Sequence, residues 1–402
     1  MTETLAMRGG RPAAPKGLVR RPWPPIPEAV FERVLEVLDS HELTGNFAPM
    51  VTELQERWGE IHDSMCLATN SGTAAIHCAL YALDIRPGDE VIVPAISFSG
   101  TVQPILALDA KPVFVDVDPV TFNMDASKLE EVVTDATKVI MPVHLHGQMC
   151  DMDPIMEFAE GYVIHVIEDA CQAHLARYHS KLAGTLGTFG CFSLNAAQAL
   201  PGGEGGLLIS KDPNLMIDAD LFRNYGEHVV SGQRGYVSTG LGLNYPLHEL
   251  PAAVALGHLD SLADNIQRGI CNAGILDEAL VEIPGFTAPL VAPNRVHTYH
   301  KYRVLFDAEK LGINASSTHI RKTIVDALRA EGVGCCTWQI EPVPAWPLFG
   351  ESREKYPNAS HILDNSFIVG TEGQSLAAQS VELMQAWGRG LQKVARSLKA
   401  LY

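Results

Sequence analysis

No apolar run in this 402-residue chain approaches the roughly 18 residues that a membrane-spanning helix needs, so a bilayer-crossing segment is not expected. Basic charge is also short: 30 lysines and arginines face 47 acidic residues, for a net charge of −17. A surface of that sign repels phosphate backbones and gains nothing from counterion release, which argues against nucleic acid and anionic membranes as partners. Basic residues do gather near the N-terminus (Arg8, Arg11, Lys16, Arg20, Arg21), but no apolar segment of leader length follows them, and a cytoplasmic location is the expectation. The 8 cysteines, at positions 66, 78, 150, 171, 191, 271, 335 and 336, contain no C-x-x-C pair. Neither a zinc site nor any other metal centre, nor a disulfide framework, is expected, and the thiols read as small buried hydrophobes.

What is present is enough apolar residue, 47% of the chain, to bury a large core and more than one domain. Pro12, Pro15, Pro22, Pro24 and Pro25 mark residues 1–30 as a loose arm. Short Val/Ile-rich runs then recur at Met65–Thr69, Glu90–Pro94, Pro112–Val117, Lys138–His144, Tyr162–Glu168, Gly190–Ser193 and Gly206–Ser210. Helical stretches fall between them at Ala74–Leu83, Thr101–Leu108, Ala126–Val133 and Met152–Glu160. Strands separated by helices predict an α/β domain, residues 31–265, with a mostly parallel sheet covered on both faces. Its last part, from Gly242 to about Arg268, reads as helical after an Asn244-Tyr245-Pro246 turn. A smaller C-terminal α+β domain, residues 266–402, holds a strand at Tyr302–Phe306, a helix at Ser317–Ala330 and a helical tail at Ser375–Leu401.

Three strand ends carry chemistry, two of them at strand-to-helix junctions. In Asn70-Ser71-Gly72-Thr73, hydroxyls and a glycine at a helix start either bind an anion through free N–H groups or simply cap the helix. Asp169 closes an apolar run, where open α/β sheets place their ligands; it either holds a pyridine nitrogen protonated or caps the next segment. Gln172 is spaced to reach a phenolic oxygen of the same ring, with His174 near it. Phe98, at the third of these strand ends, either stacks on a planar heterocycle or is plain core. Ser193 ends a later strand and has a hydroxyl to offer a phosphate.

Taken in order, S-G-T-A-A, V-I-V-P-A-x-S-F, V-F-V-D-V-D-P, P-V-H-L-H-G, E-D-A-C-Q-A-H, G-T-F-G-C-F-S and G-G-E-G-G resemble the DegT/StrS-type sugar aminotransferases. The likeness starts near Leu43-Thr44-Gly45-Asn46 and runs to the C-terminal helix. It implies the fold type I architecture of pyridoxal-phosphate enzymes. It also implies a phosphate site at Ser71, Gly72, Thr73 and Ser193, stacking by Phe98, a ring-nitrogen partner in Asp169 and an oxygen contact from Gln172. Asn244 resembles the asparagine that reaches the cofactor of a neighbouring subunit, which makes a homodimer part of the site. His300, Tyr299 and Trp338 fall in segments that resemble the substrate side. The implied substrate is a keto-sugar nucleotide or keto-cyclitol of a natural-product pathway, and L-glutamine or L-glutamate the amino donor.

Two positions depart from that pattern. Pro246 stands where the family often has an arginine. Gln198 stands where it has the lysine that forms the Schiff base and then carries the proton. A carboxamide does neither, and neither Lys181 nor Lys211, beyond the flanking strands, replaces it. Noncovalent binding of pyridoxal or pyridoxamine phosphate follows, with ordinary transamination impaired. Four readings are compatible: a deliberate lysine-to-glutamine replacement that traps adducts; a pyridoxamine-phosphate dehydratase in which His174 or His300 carries the proton; a natural variant with other chemistry; and a non-catalytic partner that keeps the fold.

Overall fold

The computed structural model describes residues 3–45, 48–230, 233–281 and 283–402, so Asn46 of the first matching segment lies outside the described residues. Seven strands form the central sheet: β1 Met65–Thr69, β2 Glu90–Pro94, β3 Lys111–Val115, β4 Thr137–Ile140, β5 His165–Asp169, β6 Phe189–Ser193 and β7 Gly206–Ser210, in spatial order β1-β7-β6-β5-β4-β2-β3. Only β7 runs against its neighbours; the pairs from β6 through β3 are parallel. Val91 and Val93 face one buried cluster with Ile76, Leu80 and Phe189, while Ile92 between them faces another with Leu54, Trp58 and Phe192. Both faces are covered, which is why these strands read as unbroken apolar runs.

Helices α1 (Glu28–Ser40) and α2 (Pro49–His62) precede the sheet, and α3 (Gly72–Ala82) and α4 (Ser99–Ala107) follow β1 and β2. The buried Glu249 carboxylate caps α2 from far along the chain, accepting the Met50 and Val51 amides at 3.0 and 2.9 Å. The C-terminal unit is an antiparallel sheet ordered Phe286–Thr287, Tyr302–Phe306, Ser366–Val369, Cys335–Cys336. Helices Leu262–Leu280, Ser317–Ala330 and Val381–Ser397 cover it, burying Leu276, Leu328, Trp387 and Leu391 against Tyr302 and Phe367. Among the described residues no helix is long and apolar enough to cross a membrane.

Three expectations change. Residues 243–247 are extended rather than helical: the Leu243, Tyr245 and Leu247 amides bond to Phe222, Arg223 and Ala68 carbonyls, and Pro246 keeps Tyr245 out of helical geometry. The helix starts only at Glu249, breaks after Leu259 and resumes at Leu262, running to Leu280 across the boundary placed at residue 265. The arm is not loose. Leu5 and Ala14 join the core of the C-terminal unit, and the buried Glu331 carboxylate accepts the Ala6 and Ala13 amides at 2.7 and 2.9 Å and the Lys393 ammonium at 2.9 Å. Glu331 lies more than 300 residues from the amides it accepts, beyond the reach of any local pattern. Finally, the thiols are not uniformly buried: Cys271 is exposed, and Cys66, Cys171 and Cys336 are half-buried.

Burial also sets an acid limit. His62, His174 and His297 are enclosed, and desolvation pushes their pKa values down to about 4, 3 and 3. The unfolded chain takes up protons at these sites near pH 6.5 and the folded chain does not, so stability is full above that pH and falls as pH drops toward the folded values. Below pH 6.5 each of these histidines contributes at most about 1.4 kcal/mol of loss per pH unit. Denaturant midpoints should therefore fall between about pH 7 and pH 5, above the range where ordinary carboxylates titrate. Equal midpoints at the two pH values would contradict this account.

Candidate active site

The carboxyl ends of β2, β5 and β6 open into a cavity of about 480 Å³, closed on the other side by His300, Lys301, Trp338 and Glu372 of the C-terminal unit. This is the size and position expected of a small-molecule site in an open α/β sheet. On its floor sits Asp169, 5% exposed. Its Oδ2 accepts the Thr101 hydroxyl at 2.7 Å and its Oδ1 the Cys171 amide at 3.2 Å; Thr101 is in turn paired with Ser97 at 2.6 Å. The carboxylate is thus aimed by two neighbours. Behind it, the fully buried Glu168 accepts the Gly184, Leu186 and Gly187 amides at 2.9, 2.7 and 2.7 Å and the His144 Nε2–H at 2.8 Å, anchoring the strand end. His144 Nδ1 accepts the Cys150 amide at 3.2 Å, which puts the imidazole proton on Nε2.

The N-terminus of α3 forms one wall. Ser71 Oγ and its carbonyl take the Ala74 and Ala75 amides at 3.1 Å each, and the Gly72 and Thr73 amides have no protein acceptor among the described residues. A Cβ at residue 72 would lie 2.8 Å from Cys171 Sγ and 2.9 Å from Ser193 Cβ, so only glycine lets the helix start come this close to the ends of β5 and β6. Ser193 Oγ accepts the Asn195 amide at 3.2 Å and lines the same wall. Free amides and hydroxyls at the positive end of a helix favour an anion.

Gln172 and Phe98 line the same cavity as Asp169. Gln172 Oε1 accepts the His146 amide at 2.8 Å, which fixes the amide orientation and leaves N–H as what Gln172 can give the cavity. Phe98 lines the cavity with 62% of its surface exposed, an apolar face without a protein partner to cover it. His146, buried and with φ of 60°, accepts the Arg303 Nε–H at 3.0 Å on Nε2, so its proton sits on Nδ1. Burial, then the Arg303 guanidinium, holds its pKa well below 6.5. Arg303 also reaches the Trp338 carbonyl at 3.2 Å, and Trp338 packs edge-on against His146, 5.1 Å between ring centroids.

Gln198 enters the cavity from a clamped loop. Its amide donates to the Asn195 carbonyl at 2.8 Å and its own carbonyl accepts the Trp23 indole N–H at 3.2 Å. Asn195 is held by Glu204 at 2.8 Å and by the Ala197 amide at 3.0 Å. The side-chain Oε1 of Gln198 is buried and, among the described residues, has no hydrogen-bond partner. An orphaned acceptor of this kind is uncommon in folded proteins and points to a missing ligand or altered chemistry.

Of the residues singled out from sequence, Ser71, Gly72, Thr73, Phe98, Asp169, Gln172, Ser193, Gln198, His300 and Trp338 line the cavity. Three do not. His174 is wholly buried between Trp58 and Phe192, at 5.8 and 5.6 Å, with both ring nitrogens unpartnered; a neutral core histidine there is no proton carrier for the cavity. Tyr299 lies in the core of the C-terminal unit, stacked on His297 at 4.1 Å. Asn244 sits outside the lining, its carbonyl accepting Asn70 Nδ2 at 3.2 Å. Thr101, Lys301 and Glu372 also line the cavity; the first two fall in segments that the sequence already marked, without being picked out themselves, whereas nothing near Glu372 marks it.

Residues 24–377 match the model of the DegT/DnrJ/EryC1/StrS aminotransferase family. The chain belongs to that family. Its members are pyridoxal-phosphate-dependent aminotransferases of fold type I, and the sheet described above is theirs. Among DegT-family relatives, it is 31% identical to Protein MosB of Rhizobium meliloti, covering 93% of this chain and 79% of the relative. It is 32% identical to a putative L-glutamine:3-amino-2,3-dideoxy-scyllo-inosose aminotransferase of Streptoalloteichus tenebrarius, covering 89% and 85%. The solved structure of DesI in the presence of its TDP-sugar product superposes with a TM-score of 0.85 at 26% identity, covering 99% of this chain and 97% of that one. For a DegT-family cofactor the donor set here fits: free amides for a phosphate, a carboxylate for a ring nitrogen, an N–H for a phenolic oxygen and an uncovered phenyl face. The one element that does not fit a covalent anchor is the carboxamide at 198.

Proposed function

We propose that this chain binds pyridoxal phosphate or pyridoxamine phosphate without a covalent link at residue 198. Its substrate is a keto-sugar nucleotide or keto-cyclitol of a natural-product pathway, with L-glutamine or L-glutamate as donor and ordinary transamination impaired. The observation that carries this is Gln198 itself: it lines the cavity with Ser71, Gly72, Thr73, Asp169, Gln172 and Ser193, yet it has no amine and, among the described residues, its Oε1 has no partner. The printed names of an inosose aminotransferase and of a TDP-sugar enzyme support the substrate class.

In this reading Gly72, Thr73, Ser71 and Ser193 hold the phosphate, Phe98 covers the ring, and Gln172 donates to the phenolic oxygen. Asp169, aimed by Thr101 and Cys171, keeps the ring nitrogen protonated. When bound, the protonated pyridine ring stabilises negative charge at the carbon beside the reacting amine. His300 and Trp338 face the substrate from the C-terminal unit. A homodimer is supported by the apolar face that α1 leaves exposed, with Phe31, Leu35 and Leu38 at helical spacing, and by the exposure of Asn244 outside the cavity. Free thiols support a cytoplasmic setting.

The test is an absorbance titration of the purified chain with each cofactor form. Pyridoxal phosphate should bind with the spectrum of the free aldehyde, and borohydride should leave no cofactor on the protein. Spectral change should come only when an amine, or a keto substrate for the pyridoxamine form, is added. No binding of either form would sink the proposal and favour a non-catalytic partner.

A further inference from the structure

The cavity does contain a lysine, on the opposite wall from residue 198. Lys301 immediately precedes the strand Tyr302–Phe306, and its amide reaches the His146 carbonyl at 3.4 Å. Its ammonium lies 5.6 Å from the centre of the Trp338 ring and, among the described residues, has no hydrogen bond or ion pair. Among those residues it is also the one lysine that lines the cavity; Lys181 is exposed elsewhere, and Lys211 is paired with Asp63 at 2.8 Å. A long flexible cation held only by an indole face is free to turn toward whatever occupies the space beside it.

We propose that Lys301 is the proton carrier of this site, doing from the C-terminal unit the acid–base work that a carboxamide at 198 cannot do. The inference rests on the reading that the cavity holds pyridoxal or pyridoxamine phosphate. The step balances without any further reagent. Neutral Nζ would take the proton from the substrate carbon bearing the amine as that C–H bond breaks, and the cofactor, when bound, would supply the electron sink for the pair left behind. The ammonium then returns the proton to the acceptor carbon, so the lysine is regenerated.

The surroundings suit this task. Burial lowers the Lys301 pKa; Glu372 and Cys336 act to raise it, and Arg303 to lower it, leaving it below the ordinary lysine value. A proton carrier works best when its pKa lies near the working pH. His300, in the same cavity, is also driven down, well below 6.5, by burial and then by Lys301 and His174, and so makes a weak base. His174 is out of reach in the core.

Two measurements test the assignment. Competitive acetylation of the full chain without cofactor, followed by peptide mass spectrometry across about pH 6 to 10, should show Lys301 reacting at lower pH than exposed Lys138 and Lys181, by about tenfold near pH 8. Pyridoxamine phosphate should shield it. In deuterated water, with pyridoxal phosphate and L-glutamate or L-glutamine, wild type should exchange the donor's α-hydrogen. Lys301→Gln and Lys301→Arg should both slow that exchange by about 10²–10⁴-fold while cofactor affinity changes little. An arginine variant that exchanges like wild type would make residue 301 a charge-binding position and overturn the proposal. So would a Lys301 no more reactive than the surface lysines, no exchange by wild type, or cofactor fixed to Lys301 by borohydride. Failure of both cofactor forms to bind would overturn the cofactor reading and this one together, whereas bound cofactor beside an inert Lys301 would overturn this one alone.

Discussion

Gln198→Lys should convert this chain into one that holds pyridoxal phosphate through a borohydride-fixable covalent link and transaminates about 10²–10⁴-fold faster than the wild type. The backbone at 198 is already positioned, because its N–H and carbonyl are occupied by Asn195 and Trp23 and owe nothing to the side chain. The side chain loses no oxygen bond on substitution, since Oε1 has no partner; a buried unsatisfied acceptor costs about 1–3 kcal/mol as it stands. An amine at 198 would share the cavity with Asp169, Gln172 and the α3 amides. Stopped-flow absorbance with L-glutamate and L-glutamine, followed by a panel of keto-sugar nucleotides and keto-cyclitols, reads the gain. A lysine variant that carries covalent cofactor yet stays silent with every donor would mean that residue 198 is not what limits the reaction.

Asp169→Asn should lower turnover by about 10²–10³-fold in whichever chain turns over, wild type or the lysine variant, with little change in unfolding midpoint. Asparagine has the same shape and keeps one acceptor for the Cys171 amide, while its NH₂ can donate to the Thr101 hydroxyl, which then donates to Ser97. What disappears is the negative charge that keeps a pyridine nitrogen protonated. Cofactor binding and thermal melting, measured alongside turnover, separate the two effects. A variant that melts with wild type and turns over equally well would remove Asp169 from the chemistry; one that fails to fold would make it a structural cap.

The strands of the large sheet were legible because each is short, branched and buried on both faces, and their observed limits shift by only a few residues at the ends. The groups at Ser71–Thr73 and Asp169–Gln172 were legible for a related reason: each lies within a few residues of a strand end, where a helix start follows in the first case and a turn in the second, so the chain itself brings them together. His174 shows the limit of that logic. It lies two residues past Gln172, but turns at Ala173 and Ala176, and Leu175 with φ of 56°, carry it behind the strand ends to Trp58 and Phe192. Of the opposite wall, His300 and Trp338 were legible only through the family resemblance. Lys301 and Glu372 meet the rest of the cavity only through the docking of one unit on another, and no local spacing encodes that.

The indole of Trp23 bound to the carbonyl of Gln198, together with the Glu331 clasp on residues 6 and 13, has a consequence for how the molecule comes into being. Residues 6 and 13 must wait for Glu331, 325 and 318 residues further along the chain, and for its partner Lys393 before they can settle. Contacts of such sequence separation are slow to form and costly in loop entropy. The loop that carries residue 198 is therefore tightened only after the C-terminal unit has folded and the arm has closed over it. Binding competence should be among the final properties this chain acquires on its way to the native state.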